Sequence, residues 1–166
     1  MATRSTIALE FADGTVGQVY AHWDGYLAHN GKILLENYSD PFKLRELIDL
    51  GGVSSLGAKL GEQHPFSEFE IAKDDPERDA KLALVEKAKT ESWTTFYGRD
   101  RGETEMEATY FKDITDYYEN CQGEEYDYIL SPREGKAQWY VRYNDTQGNW
   151  IRLEHAFENE AAEVEA

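Results

Sequence analysis

The sequence predicts an α+β domain in which an antiparallel sheet, built from an N-terminal hairpin and a C-terminal meander, carries helices on one face. Three observations predict it. Two alternating apolar runs joined by a turn open the chain, two helical patterns in the middle begin at Asp-Pro pairs, and three β-prone runs separated by turn residues lie toward the end.

Ser5 to Phe11 alternates Ile7, Leu9 and Phe11 with Thr6, Ala8 and Glu10, the period of a half-buried strand. Ala12-Asp13-Gly14-Thr15 is a turn signal, Val16 to Trp23 reads as the return strand, and Asp24-Gly25 closes it. Leu27, Ile33, Leu34 and Tyr38 fall near helical spacing, with Asn30-Gly31 as the expected helix start. A second helix starts at Ser39-Asp40-Pro41, where Asp40 can cap and proline suits the first helical position, and Gly51-Gly52 stops it. Val53 to Phe69 is glycine-spotted and irregular, with room for one short extended piece. Asp75-Pro76-Glu77 repeats the start signal for a surface helix ending near Thr90.

Trp93 to Tyr97 is β-prone and leads into a charged loop, Gly98-Arg99-Asp100-Arg101-Gly102. Ala108 to Phe111 reads as a short strand, and Asp113 to Asn120 as a short helix or turn. The meander strands are Tyr126 to Leu130, Gln138 to Tyr143 and Asn149 to Leu153, with turns at 132–135 and 144–148. One domain is expected over residues 1–157. Residues 158–166 contain only Glu, Ala, Asn and Val, and read as a flexible, solvated acidic tail.

Composition narrows the function. Against 33 Asp and Glu stand 17 Lys and Arg, a formal charge of −16 over 166 residues. Residues 1–100 hold seventeen acids and eleven bases (−6), and residues 101–166 hold sixteen acids and six bases (−10). Such a surface repels nucleic acid and anionic membranes and attracts basic surfaces. Direct nucleic-acid binding is disfavoured, because it needs cationic contacts to phosphate. The aromatics (Tyr 11, Phe 7, Trp 4) are enough for a core and argue against disorder of the body. One cysteine, Cys121, excludes an internal disulfide and a multi-thiolate zinc site, and reads as a small buried side chain. No apolar leader or membrane-length stretch is present, so a reducing cytoplasm is expected.

Three constellations carry possible chemistry. His22-Trp23-Asp24-Gly25-Tyr26 with His29-Asn30 places two imidazoles, a carboxylate, a phenol and an indole at a strand end. They fit a ligand pocket or an acid/base pair, or equally a strand-turn-helix corner whose polar groups bond the turn. A metal there would need Asp24 or His64 to converge on the two histidines, and no metal or cofactor is expected.

Tyr97-Gly98-Arg99-Asp100-Arg101-Gly102 sets two arginines among glycines, as a phosphate clamp would. The plainer reading is that Arg99 and Arg101 neutralise neighbouring acids.

The third set is an acidic belt from Glu103 to Asp127, with nine carboxylates and one base, Lys112. Glu103, Glu105, Glu107, Asp113, Asp116, Glu119, Glu124, Glu125 and Asp127 supply charge, and Tyr117, Tyr118 and Tyr126 would anchor a partner. Carboxylates interleaved with tyrosines can imitate a nucleic-acid backbone and occupy a basic groove. A face that only keeps the protein soluble has the same composition. The chain lacks G-x-S-x-G, H-E-x-x-H, Walker, kinase and EF-hand patterns, and no catalytic residue is assigned.

R-S-T-I-A-L-E-F-A-D-G-T-V at 4–16, H-W-D-G-Y-L-A-H-N-G at 22–31 and F-Y-G-R-D-R-G-E at 96–103 resemble a family of small proteins encoded by tailed bacteriophages. Residues 2–50 and 94–103 carry the resemblance. In that family a cysteine often precedes the histidine that matches His22, where this chain has Ala21. A thiol-based site is therefore not expected.

The resemblance implies an accessory protein acting in the host bacterial cytoplasm. The leading expectation is a non-enzymatic inhibitor of a host antiviral defence complex, of anti-CRISPR or anti-restriction type, whose partner presents a basic surface to the belt. The alternative is a sponge for a nucleotide second messenger. In it Trp23 or Tyr26 stacks the base, Arg99 and Arg101 hold phosphate beside Tyr97, and His22, Asp24, His29 and Asn30 orient the sugar or act on it. Arginines that face an aromatic pocket favour the sponge, and arginines paired with acids favour the mimic.

Overall fold

The computed structural model describes residues 2–133 and 135–165, with side chains except those of residues 133 and 161–165. Strands β1 (Ser5–Glu10) and β2 (Val16–Ala21) form the expected hairpin in antiparallel register, Ile7 opposite Val19. Its turn is closed by Thr15, whose amide and hydroxyl both bond Asp13 Oδ1. Strands β6 (Tyr126–Arg133), β7 (Lys136–Tyr143) and β8 (Ile151–Arg152) form the meander.

The two units join through a parallel pairing of β1 with β6, Ile7 opposite Tyr128, which puts both strands in the interior of the sheet. The order is β4-β3-β2-β1-β6-β7-β8, with β3 (Val53–Ser55) and β4 (Thr95–Phe96) beyond β2. The outer edge of β2 is shared: Ala21 pairs with β3, and residues 16–18 pair with β5 (Thr109–Phe111). The sheet is mostly antiparallel and the fold is α+β.

Alternation sorts the strand residues onto two faces. On the first face Ile7, Leu9, Val19, Ala21, Tyr128, Leu130, Trp139 and Val141 pack against helices. These are α1 (Lys32–Asn37), α2 (Pro41–Leu50) and α6 (Leu153–Glu165), which contribute Leu34, Leu44, Leu47, Ile48, Leu153 and Ala156. Helix α2 starts as its sequence dictates: the Phe42 amide donates to Asp40 Oδ1 at 3.0 Å and Pro41 fills the first position. At its far end Gly51 has φ +88°, and a Cβ there would lie 2.5 Å from Met106 O, so glycine is required both for the turn and for the close approach.

Helices are not confined to one face as expected: the second face carries a smaller cluster, Ala8, Val16 and Ile129 under Phe111 of β5 and Tyr117 of α5 (Ile114–Asn120). Helix α3 (Arg78–Thr90) is peripheral and seats Val85 and Ala88.

Three local expectations change. Gly98–Gly102 is not an open loop: Tyr97–Arg101 forms helix α4, ended by Gly102 at φ +73°. Leu27–Gly31 is a π-helical turn that continues into α1, so the helix begins before Asn30-Gly31. Residues 158–165, read as a tail, continue α6 from its buried Leu153 and Ala156, because Glu and Ala favour the helix once it is nucleated on the core. Ala166 lies outside the described residues, as does Glu134 in the β6–β7 turn.

Candidate functional site

The His22–Asn30 corner is largely self-satisfied. The His22 amide donates to Val53 O at 3.0 Å, which ties the strand end to β3. Its ring Nδ1 shares a hydrogen bond with the Tyr20 hydroxyl at 2.6 Å. Asn30 is fully buried. It bonds Trp23 O and Ser5 Oγ through Nδ2, both at 3.3 Å, and His29 Nδ1 through Oδ1 at 2.9 Å. Asp24 sits at φ +56°, and its carbonyl accepts from the Asn30 amide at 3.2 Å. Trp23 and Tyr26 are exposed, Trp23 at 44 %. The corner is a packed turn that leaves two aromatics on the surface. Among the described residues no group of three His, Cys, Asp or Glu could hold a metal ion.

Arg99 is locked into the fold. Its Nε and Nη2 donate to the two Asp100 oxygens at 3.0 and 3.2 Å, Nη1 donates to Leu60 O and Gly61 O, and Nη2 also donates to Thr94 O. The guanidinium lies 4.7 Å from the Phe96 ring centre. The Asp100 side chain is fully buried and also accepts from the amides of Phe96 (2.8 Å) and His64 (3.1 Å). His64 is buried as well, bonded through Nδ1 to Glu62 O (2.7 Å) and through Nε2 to Thr95 Oγ1 (3.1 Å). Arg101 pairs with Glu70 at 3.1 Å and stacks over Phe66. Tyr97 is partly buried against Phe66. Both arginines are thus engaged by acids, carbonyls and rings, and Arg99 has no donor left for a phosphate.

The belt divides by burial. Glu103, Glu105, Glu107, Asp113, Tyr118, Glu119, Glu124 and Glu125 are exposed, and Asp116 is partly so. Asp113 caps α5, accepting from the Asp116 amide at 2.7 Å, and Asp116 accepts from the Lys112 amide and the Asn120 side chain. The Lys112 amide, with the Asn120 side chain adding to it, holds the Asp116 carboxyl below its usual range.

Three of the belt residues belong to the scaffold. Tyr117 is fully buried, edge-on to Phe111, and burial pushes its hydroxyl well up. Asp127 is 2 % exposed on the second face, where Thr6 Oγ1 donates to it at 2.7 Å, the Glu124 amide at 3.0 Å and Arg142 at 3.2 Å. Tyr126 points to the first face and stacks on Tyr143 at 5.1 Å. β6 lies inside the sheet, so its consecutive residues turn to two covered faces, and Tyr117 lies on the side of α5 packed against the second face, which composition alone does not register.

The second face also holds a feature no motif announces. Over β1 and β2 lies a cleft of about 360 Å³ whose lining includes Thr6, Gln18, Tyr20, Glu105, Glu107 and Glu124. Its wall is pinned at Gly52, whose amide donates to Met106 O at 2.8 Å. Burial, with Glu124 and Glu125 adding to it and Arg4 opposing, pushes the Tyr20 hydroxyl up. The only local sign of Gln18 in the sequence is a polar residue at an alternating position of a strand.

Among the described residues no helix is long and apolar enough to cross a membrane. No protein-family model matches the chain, and neither the curated proteins nor the solved structures yield a match.

Proposed function

We propose that this protein is a non-enzymatic, phage-type inhibitor that docks its acidic surface into the basic nucleic-acid-binding groove of a host antiviral defence complex. The observation that carries this reading is an asymmetry of pairing. Among the described residues Glu103, Glu105, Glu107, Glu119, Glu124 and Glu125 enter no ion pair. Arg99, Arg101, Arg142 and Arg152, in contrast, are each matched to a carboxylate. The charge of these six exposed glutamates is therefore not spent on ion pairs within the fold. A basic groove supplies the missing counter-charge, and steering by such a field speeds encounter and falls with salt. The phage resemblance supports a defence complex as the owner of that groove.

The test is charge reversal at exposed positions, Glu103→Lys, Glu119→Lys and Glu125→Lys together. The variant folds as the parent does and loses salt-sensitive association with a nucleic-acid-binding host protein. Retained association in a folded variant contradicts the proposal.

A further inference from the structure

The cleft on the second face combines two observations of different kind. Its walls present Glu105, Glu107 and Glu124, and among the described residues no lysine or arginine lines it. These carboxylates do not converge as a metal site among the described residues, so they suit an organic cation, whose charge is spread or carried on a stem. The second observation is in the floor. Gln18, contributed by β2, is 7 % exposed, and its side-chain Nε2 has no hydrogen-bond partner. A buried amide donor without an acceptor is costly. The terminal torsion of glutamine is broad, so the amide can turn toward an acceptor laid on the floor. A bare alkylamine brings no acceptor, whereas a peptide brings a carbonyl beside each side chain.

The wall is also preorganised. Glu105 is held at φ +63°, and the adjoining Met106 carbonyl is anchored by the Gly52 amide. At about 360 Å³ the cleft lies at the small end of ligand pockets and matches one side chain with its peptide unit.

We infer that the cleft receives a basic side chain, arginine or lysine, from an extended segment of the docked partner. The cation lies among Glu105, Glu107 and Glu124, and the main-chain carbonyl takes the Gln18 amide. The inference rests on the reading of the belt as a docking surface and adds the point of insertion.

The test is a titration of the isotope-labelled full chain, followed by nuclear magnetic resonance, with three probes. N-acetyl-arginine methylamide carries charge and carbonyl, n-propylguanidine carries the guanidinium alone, and N-acetyl-citrulline methylamide carries the carbonyl without charge. The arginine derivative shifts the Gln18, Tyr20 and Met106 signals saturably, n-propylguanidine binds about fivefold more weakly for want of the neutral hydrogen bond, and the citrulline derivative does not saturate. Combining Glu105→Gln, Glu107→Gln and Glu124→Gln weakens both cations about tenfold, as three exposed charge pairs would.

Gln18→Met brings the arginine derivative down to the n-propylguanidine level and leaves n-propylguanidine unchanged. Should that buried variant fail to fold, the comparison of probes on the parent still decides. Equal binding of n-propylguanidine and the arginine derivative, saturable citrulline binding, shifts elsewhere, or no binding by any probe overturns the inference. The docking proposal is judged separately on Glu103, Glu119 and Glu125, none of which lines the cleft.

Discussion

The Arg99 guanidinium meets the buried Asp100 carboxylate through two hydrogen bonds, 3.0 and 3.2 Å, and the pair anchors β4 to the 60–64 segment. Removal of Arg99 leaves the Asp100 carboxylate inside the fold without its guanidinium partner, a change that costs about 3–5 kcal/mol. Arg99→Ala is expected to show that loss in urea unfolding. Arg99→Lys recovers little of it, because a point-charge ammonium cannot serve two carboxylate oxygens and three carbonyls at once. A stability within 1 kcal/mol of the parent, on the order of a surface substitution, contradicts the structural role.

Alkaline pH gives a second check. Burial raises the Tyr38 hydroxyl to about 12, and this phenol donates to Gly57 O at 2.7 Å. Tyr117 and Tyr128 are also pushed up by burial, and the Tyr128 hydroxyl donates to Gly25 O. The folded state holds these protons more tightly than the unfolded chain, whose tyrosines ionise near 10. The stabilisation is complete below pH 10 and is lost as pH rises from there toward 12. Tyrosine absorbance should therefore show a delayed, cooperative ionisation that coincides with loss of near-ultraviolet circular dichroism.

Cys121 sits beside Arg142, with Nη2 to Sγ at 3.6 Å, yet burial outweighs the guanidinium and pushes the thiol up. Its alkylation by iodoacetamide at neutral pH is expected to be slower than that of the unfolded chain, with a pH midpoint above the ordinary thiol value. A rate equal to the unfolded chain's would show an open, activated cysteine.

The α2 cap is a smaller, local test. Asp40→Ala removes the acceptor for the Phe42 amide and costs about 1 kcal/mol. Asp40→Asn keeps most of it.

The signals legible in the sequence are short-range and chemical. Asp40-Pro41, the alternation of Ile7 and Leu9 with Thr6 and Ala8, and the turn at Asp13-Gly14 each act within a few residues and mark elements that appear where expected, but β1 is buried on both faces, Thr6 and Ala8 included, and is not the half-buried strand its period suggests. The parallel pairing of β1 with β6 is not local: Ile7 and Tyr128 are 121 positions apart, and nothing in either strand names the other. The same limit governs the site. Arg99 and Arg101 look available beside their glycines, but the carbonyls that occupy Arg99 come from Leu60 and Gly61, nearly forty residues earlier. Asp127 and Tyr117 count as belt residues by composition; Asp127 is buried because β6 lies inside the sheet with both faces covered, and Tyr117 because its side of α5 packs on the second face. The cleft at Gln18 is assembled from the 6–20, 105–111 and 120–124 segments and has no signature in any one of them.

The proposal that the acidic surface replaces nucleic acid in a basic groove is tested most directly by competition. The tagged protein is immobilised, loaded with bacterial lysate at low salt, and washed with increasing duplex DNA or RNA or with increasing salt. The account predicts a nucleic-acid-binding host protein on the beads that nucleic acid and salt each release, and that the Glu103, Glu119 and Glu125 reversal variant fails to capture. A partner that stays bound in the presence of excess nucleic acid, or that the variant captures equally well, contradicts it.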